Sequence, residues 1–161
     1  MAKLTGPAQM FAGDTTELHA DTPRHQVFTR AWGTDGSEYV YLAGVAVGSA
    51  GAWVSFGTDS TGSATLLAAS AVGPVAVSMR QNSSPSSYSW YQVYGHNSVG
   101  LCGSDIAANK NLYISGTTKF VDDLDVAQDF IIGAKSIAAG VPGGTTTFWL
   151  SYPYVTDIAL D

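Results

Sequence analysis

Tyr39-Val40-Tyr41-Leu42-Ala43-Gly44-Val45-Ala46-Val47 and Tyr88-Ser89-Trp90-Tyr91-Gln92-Val93-Tyr94-Gly95 decide the fold. Both runs are rich in β-branched and aromatic residues, and both are too short for a buried helix. The first is bounded by Asp35-Gly36 and Gly48 and reads as one apolar strand. The second carries aromatic rings on both faces. Working outward, Ala52 to Phe56 follows a Gly-rich turn, and Asp59 to Gly62 makes the next turn. Val75, Val77 and Met79 alternate with Ala76, Ser78 and Arg80, which predicts one face in and one out. Gln81 to Ser87, with a Pro and four Ser, reads as a loop. Leu112 and Ile114, Phe130 to Ala134, and Thr145 to Leu150 supply the later strands. Ala64 to Ala71 is the one stretch with helix propensity, so it predicts either a short helix or a strand.

Turn signals recur about every ten residues, the spacing of an all-β protein and not of alternating strands and helices. The expectation is a single antiparallel β-sandwich or β-barrel over residues 31–161, preceded by an extended arm over residues 1–30. In that arm the apolar residues are isolated, and Gly6-Pro7, Gly13-Asp14 and Thr22-Pro23 break regular structure. Met10, Phe11, Val27 and Phe28 stand out as anchoring side chains.

Only 12% of the 161 residues are charged while 45% are hydrophobic, the reverse of a disordered composition. The formal charge is −6, and the seven Lys and Arg are scattered singly from Lys3 to Lys135, which argues against nucleic acid. No apolar run approaches the ~18 residues of a membrane span, so no membrane partner is expected. The first residues, with one Lys and no apolar core, do not read as a secretory signal. Cys102 is the only cysteine, which fits synthesis in a reducing cytoplasm and reads as a small buried hydrophobe.

Catalytic templates do not match. His19, His25 and His96 are separated, and no CxxC, HxH or HExxH spacing occurs. No Gly-x-Ser-x-Gly elbow is present. Gly140-Val141-Pro142-Gly143-Gly144 lacks the Lys-Ser/Thr of a phosphate-binding loop and reads as a hairpin connection. Asp122-Asp123-Leu124-Asp125, with Asp129 beyond, could gather carboxylates for Ca²⁺ but lacks EF-hand spacing. It reads better as a solvated loop or the start of a short helix, where Asp caps free backbone N–H groups. The expectation is therefore a non-enzymatic protein with no cofactor and no metal.

Aromatic residues make up 11% of the chain, concentrated in Tyr39–Tyr41, Trp53–Phe56, Tyr88–Tyr94 and Phe148–Tyr154. Such rings serve a core, a subunit interface or sugar stacking. Over residues 65–155 the chain resembles the small bacteriophage head-decoration (capsid cement) proteins. The resemblance is carried by Gly73-Pro74-Val75-Ala76-Val77, Tyr88 to Gly95, Ile131-Ile132-Gly133-Ala134 and Phe148-Trp149-Leu150-Ser151-Tyr152-Pro153. The loop from Asn82 to Ser87 departs from the usual tight form of that family. The resemblance implies a homotrimer on the outer surface of an icosahedral capsid, bridging neighbouring copies of the major capsid protein. Met10, Phe11, Val27 and Phe28, with Trp90 and Tyr94 in the body, would then make the contacts. The alternative is a glycan- or receptor-binding β module of a virion fibre.

Overall fold

Tyr39 to Ala43 does form a strand, and the reason for its unbroken apolar character is that both of its faces are covered. A computed structural model of the protein describes residues 4–5, 15, 18–45, 49–57, 60–82, 84–124 and 129–156. In chain order the strands are β1 (Leu4–Thr5), β2 (Leu18–Ala20), β3 (Arg30–Gly33), β4 (Glu38–Ala43), β5 (Trp53–Phe56) and β6 (Ala64–Leu66). They continue with β7 (Gly73–Ser78), β8 (Ser87–Leu101), β9 (Asn111–Ile114), β10 (Val121–Asp122), β11 (Phe130–Ser136) and β12 (Thr145–Val155). No helix occurs among the described residues. The main path of the sheet runs β1-β3-β4-β8-β7-β12-β11-β9-β10, with β2 on β8 and the β5–β6 pair joined through β7. Every ladder between these strands is antiparallel, and the sheet stays open, as in a sandwich and unlike a barrel.

Three apolar clusters lie on the two sides of this sheet. Tyr39 and Tyr41 of β4 pack with Ala31 and Trp90, while Val40 and Leu42 point the other way, to Val54, Ala76, Tyr91 and Val93. Trp53, Val75 and Val77 face a third cluster with Leu112, Ile131, Phe148 and Leu150. Central strands buried on both faces explain continuous hydrophobic runs without alternation. The expected open face of β7 is corrected on this ground: Ala76 and Ser78 are buried like Val75 and Val77. The stretch from Ala64 to Ala71, with its helix propensity, starts instead as strand β6, because Ala64–Leu66 completes a ladder with β5. Tertiary pairing outweighs a propensity worth only tenths of a kcal/mol per residue.

The long strand β8 organises the molecule. Residues Tyr88–Tyr94 pair with β4 on one edge, and Tyr94–Leu101 pair with β12. The change of partner happens at Gly95, which has φ +96°; a Cβ there would lie 2.6 Å from Ser37 Oγ. Gln92, fully buried, holds this kink. Its Nε2 lies 3.1 Å from the Tyr94 carbonyl, 2.8 Å from the His96 carbonyl and 3.2 Å from Ser37 Oγ. Its Oε1 accepts from Asn97 Nδ2 at 2.9 Å, and Asn97 Oδ1 in turn accepts the N–H groups of Val99 and Gly100. The pair satisfies backbone groups that a broken ladder would strand away from water.

Residues 18–28, assigned to the arm by sequence, lie against the body. Leu18–Ala20 pairs with Ser87–Ser89, and His19 Nδ1 meets the Tyr41 hydroxyl at 2.6 Å. The His25 ring lies 5.3 Å from that of Trp90. The expected anchors Met10 and Phe11 fall outside the described residues.

Two outcomes follow from this packing. Gln92→Leu leaves the buried carbonyls around Gly95 unpaired, so the denaturant midpoint should fall by the equivalent of about 1–3 kcal/mol with an unchanged slope. Burial, with help from the Asp35 charge, pushes the Tyr39 hydroxyl up from 10.0 to about 12. The unfolded chain releases that proton first, so stability is full below pH 10 and declines as pH rises towards 12. The loss is readable from denaturation curves across that range, and Tyr39→Phe should remove it.

Candidate functional site

Strand alternation along β12 buries Thr146, Phe148 and Leu150 and turns Trp149 outward. The alternation then breaks. Ser151 and Tyr152 are both exposed, after which Pro153 and Val155 are buried. The cause is Tyr152, whose backbone sits in the left-handed region at φ +51°, a conformation that costs a non-glycine residue about 1–3 kcal/mol. The kink brings the Tyr152 ring to the same side as Trp149, and both rings meet Tyr94. Tyr152 stacks on Tyr94 at 5.4 Å and 30°, while Trp149 meets it edgewise at 5.6 Å and 68°. Trp32 on β3 closes the row, 6.2 Å from Tyr94. The result is an exposed aromatic face in which Trp32, Trp149 and Tyr152 are 46%, 40% and 48% accessible.

Register explains why these side chains converge. Trp32, Glu38, Tyr94 and Ser151 are successive cross-strand neighbours on β3, β4, β8 and β12. A second row, His96, Trp149, Lys135 and Asn111, runs across β8, β12, β11 and β9. Directly opposed residues lie about 5 Å apart, close enough to interact.

A polar network fixes the face from below. The Tyr152 hydroxyl donates to Glu38 Oε2 at 2.5 Å, and Arg30 Nη1 donates to Glu38 Oε1 at 2.7 Å. Arg30 also lies 5.6 Å from the centre of the Tyr152 ring. Glu38 is buried, so both of its oxygens need these partners. The hydrogen bond to the Glu38 carboxylate holds the Tyr152 hydroxyl above its ordinary range, with burial adding to the effect.

Beside Trp149 a groove of about 220 Å³ opens between β9, β11 and β12, walled by Trp149, Lys135, Asn111, Phe130 and Ser151. It exists because β11 bulges between Ile132 and Ala134. Gly133 sits in that bulge at φ +79°, and a Cβ there would lie 2.5 Å from the Ser151 carbonyl oxygen.

The structure separates the six residues singled out by sequence. Tyr94 lies at the centre of the aromatic face. Trp90 is corrected from a contact residue to a core residue: it is completely buried, between Tyr41 and the ring of His25. Phe28 is half-buried at φ +67° and packs into the chain's own core, and Val27 sits over Gly62. Both hold residues 18–28 to the body. Met10 and Phe11 lie outside the described residues. Trp32, Trp149 and Tyr152 escaped the sequence reading as site residues. The outward phase of Trp149 was available from β12 alternation, whereas the kink at Tyr152 was not.

Other candidates resolve into structural roles. Asp122, Asp123 and Asp129 accept backbone N–H groups of Leu124, Ala107 and Ser70. Burial raises the Asp122 carboxyl above its ordinary range. Cys102 is buried and its thiol is pushed up to about 11 by desolvation, which keeps it protonated. Among the described residues no group of three His, Cys, Asp or Glu is placed to hold a metal ion. No helix there is long and apolar enough to cross a membrane. Comparison with known proteins yields no match among family models, curated proteins or solved structures.

The Tyr152–Glu38 bond is testable by itself. Tyr152→Phe keeps the ring but leaves one oxygen of a buried carboxylate without its donor. Stability should fall by about 1 kcal/mol, discounted for the exposure of the tyrosine, and Glu38→Gln should reduce the loss. An unchanged melting profile in Tyr152→Phe would show that water replaces the phenol at no cost.

Proposed function

We propose that this chain is a non-enzymatic virion structural protein that decorates the outer surface of an icosahedral phage capsid. It bridges copies of the major capsid protein and acts as a homotrimer. The observation that carries this reading is the aromatic row in which exposed Trp32 and Tyr152 flank half-buried Tyr94, braced by Arg30 and Glu38. Tyr, Trp and Arg dominate the energetic centres of protein interfaces, because they bury large area while keeping a polar handle. Rings already fixed by one another and by Glu38 lose little conformational entropy on docking. The scarcity of charge, 12% of the chain, suits a surface covered by permanent neighbours. An acidic protein on the outside of a shell is also kept apart from the DNA within.

A second reading, a glycan-binding module, is favoured by one specific feature, the groove beside Trp149.

The decisive experiment is co-sedimentation of the purified protein with a panel of undecorated phage heads, paired with its solution mass. Specific binding to one head type is expected, with a mass near three times 16.8 kDa. Trp32→Ala and Tyr152→Ala should each weaken attachment by about 30-fold or more while the fold is retained. Full shell binding by both variants would overturn the aromatic row as the docking surface. Absence of binding to every head would overturn the decoration role.

A further inference from the structure

We propose that the groove beside Trp149 binds a carboxylate-bearing sugar residue, a uronic or sialic acid unit of an acidic glycan. This site is independent of shell attachment, which rests on Trp32, Tyr94 and Tyr152.

Size comes first. A cavity of about 220 Å³ lies below the ~300–1,000 Å³ range of drug-sized pockets, so it takes one ring and not an extended ligand. Shape and chemistry narrow the class further. Trp149 is 40% exposed, and its indole is held by two nearly perpendicular neighbours, Tyr94 at 68° and His96 at 82°. A fixed, half-open indole is a platform for the apolar C–H face of a pyranose. Directly across the strands from Trp149 stands Lys135, and beyond it Asn111. A ring resting on Trp149 therefore has Lys135 and Asn111 along one side, with Ser151 also in the wall.

Charge selects the acidic sugar. Thirteen Asp and Glu outnumber seven Lys and Arg in the chain, yet among the described residues no carboxylate lines this groove. Among the described residues, none forms an ion pair with Lys135. A neutral hexose would leave that ammonium with only hydroxyl partners, whereas a carboxylate gives it a charge-assisted hydrogen bond. The bulge at Gly133 opens the groove at the point where strand pairing would otherwise close it.

The test is a titration of the full chain, followed by the Trp149 indole N–H and the Gly133 amide in ¹H–¹⁵N spectra. The probes are methyl β-glucuronide, a methyl sialoside, methyl β-glucoside and acetate. At least one of the two acidic sugars should shift both signals with a dissociation constant in the millimolar range. The uncharged glucoside should bind about tenfold more weakly, and acetate should leave the indole unmoved. Lys135→Met, a change at an exposed side chain, should erase the preference for acid over neutral sugar. Trp149→Ala should abolish binding of both. Whichever acidic sugar binds identifies the source of the carboxylate. Three outcomes would each overturn the proposal: no shift with either acidic sugar up to about 50 mM, equal affinity for glucoside and glucuronide, or acetate reproducing the full effect. Because Lys135 lies outside the aromatic row, Lys135→Met should bind shells normally, so failure here and failure of the decoration role are told apart.

Discussion

The buried amide pair Gln92–Asn97 is the constraint on which the rest of the structure depends. A strand of fifteen residues cannot keep one straight ladder while serving two parts of a twisted sheet. β8 solves this with a bulge against β4 between Gln92 and Tyr94, a left-handed Gly95 beside it, and a second bulge against β12 between Asn97 and Gly100, which leave several backbone groups to be met by side chains. Gln92 and Asn97 take up those groups from inside the protein, where an unpaired carbonyl or amide is costly. With both kinks secured, the first half of β8 sits beside β4 and the second half beside β12. The two apolar layers on either side of β4, β5 and β7 are held together by this one strand.

The exposed aromatic face is a consequence of the same arrangement. Tyr94 and His96 flank the Gly95 kink, and β12 answers them with Ser151 and Trp149 across the ladder. Tyr152 then leaves the strand's alternation altogether, at a conformational cost that its bond to Glu38 and its stacking on Tyr94 help to offset. A strained non-glycine residue, placed so that a large ring stays in water, has no purpose in the core. It is the feature that most separates this face from the scattered apolar residues normal on any protein surface. The groove on the far side of Trp149 has a separate origin, the bulge at Gly133 in β11, so the two features can serve different partners.

Much of the β framework was legible in the residues. The apolar runs at Tyr39–Ala43 and Trp53–Phe56 became strands, because β-branched and aromatic side chains fit a pleated surface covered by other strands. The capping role of Asp122, Asp123 and Asp129 was readable too, since short carboxylate side chains commonly satisfy nearby backbone N–H groups. Their expected solvation was not met: Asp122 is a buried residue of β10, and Asp129 is buried as well. Less was legible in the candidate site. Tyr94 and Trp90 were read alike as contact aromatics, but Trp90, four residues earlier in the same run, is buried because residues 18–25 fold back over it. Val27 and Phe28, read as anchors, pack half-buried on their own chain, and which surface lies beneath them was beyond the reach of local sequence.

By itself the sequence determined the all-β class, the positions of most strands and the supply of aromatic rings. These follow from local preferences: branched and aromatic side chains favour extended backbone, and Gly and Pro interrupt it. Only the tertiary structure decided which rings are core and which are exposed. Period-two alternation assigns faces only until a bulge, and β8, β11 and β12 each contain one. Beyond such a break, the face a residue takes is set by the partner strand, and the gathering of Trp32, Tyr94, Trp149 and Tyr152 needed four strands far apart in the chain to come into register.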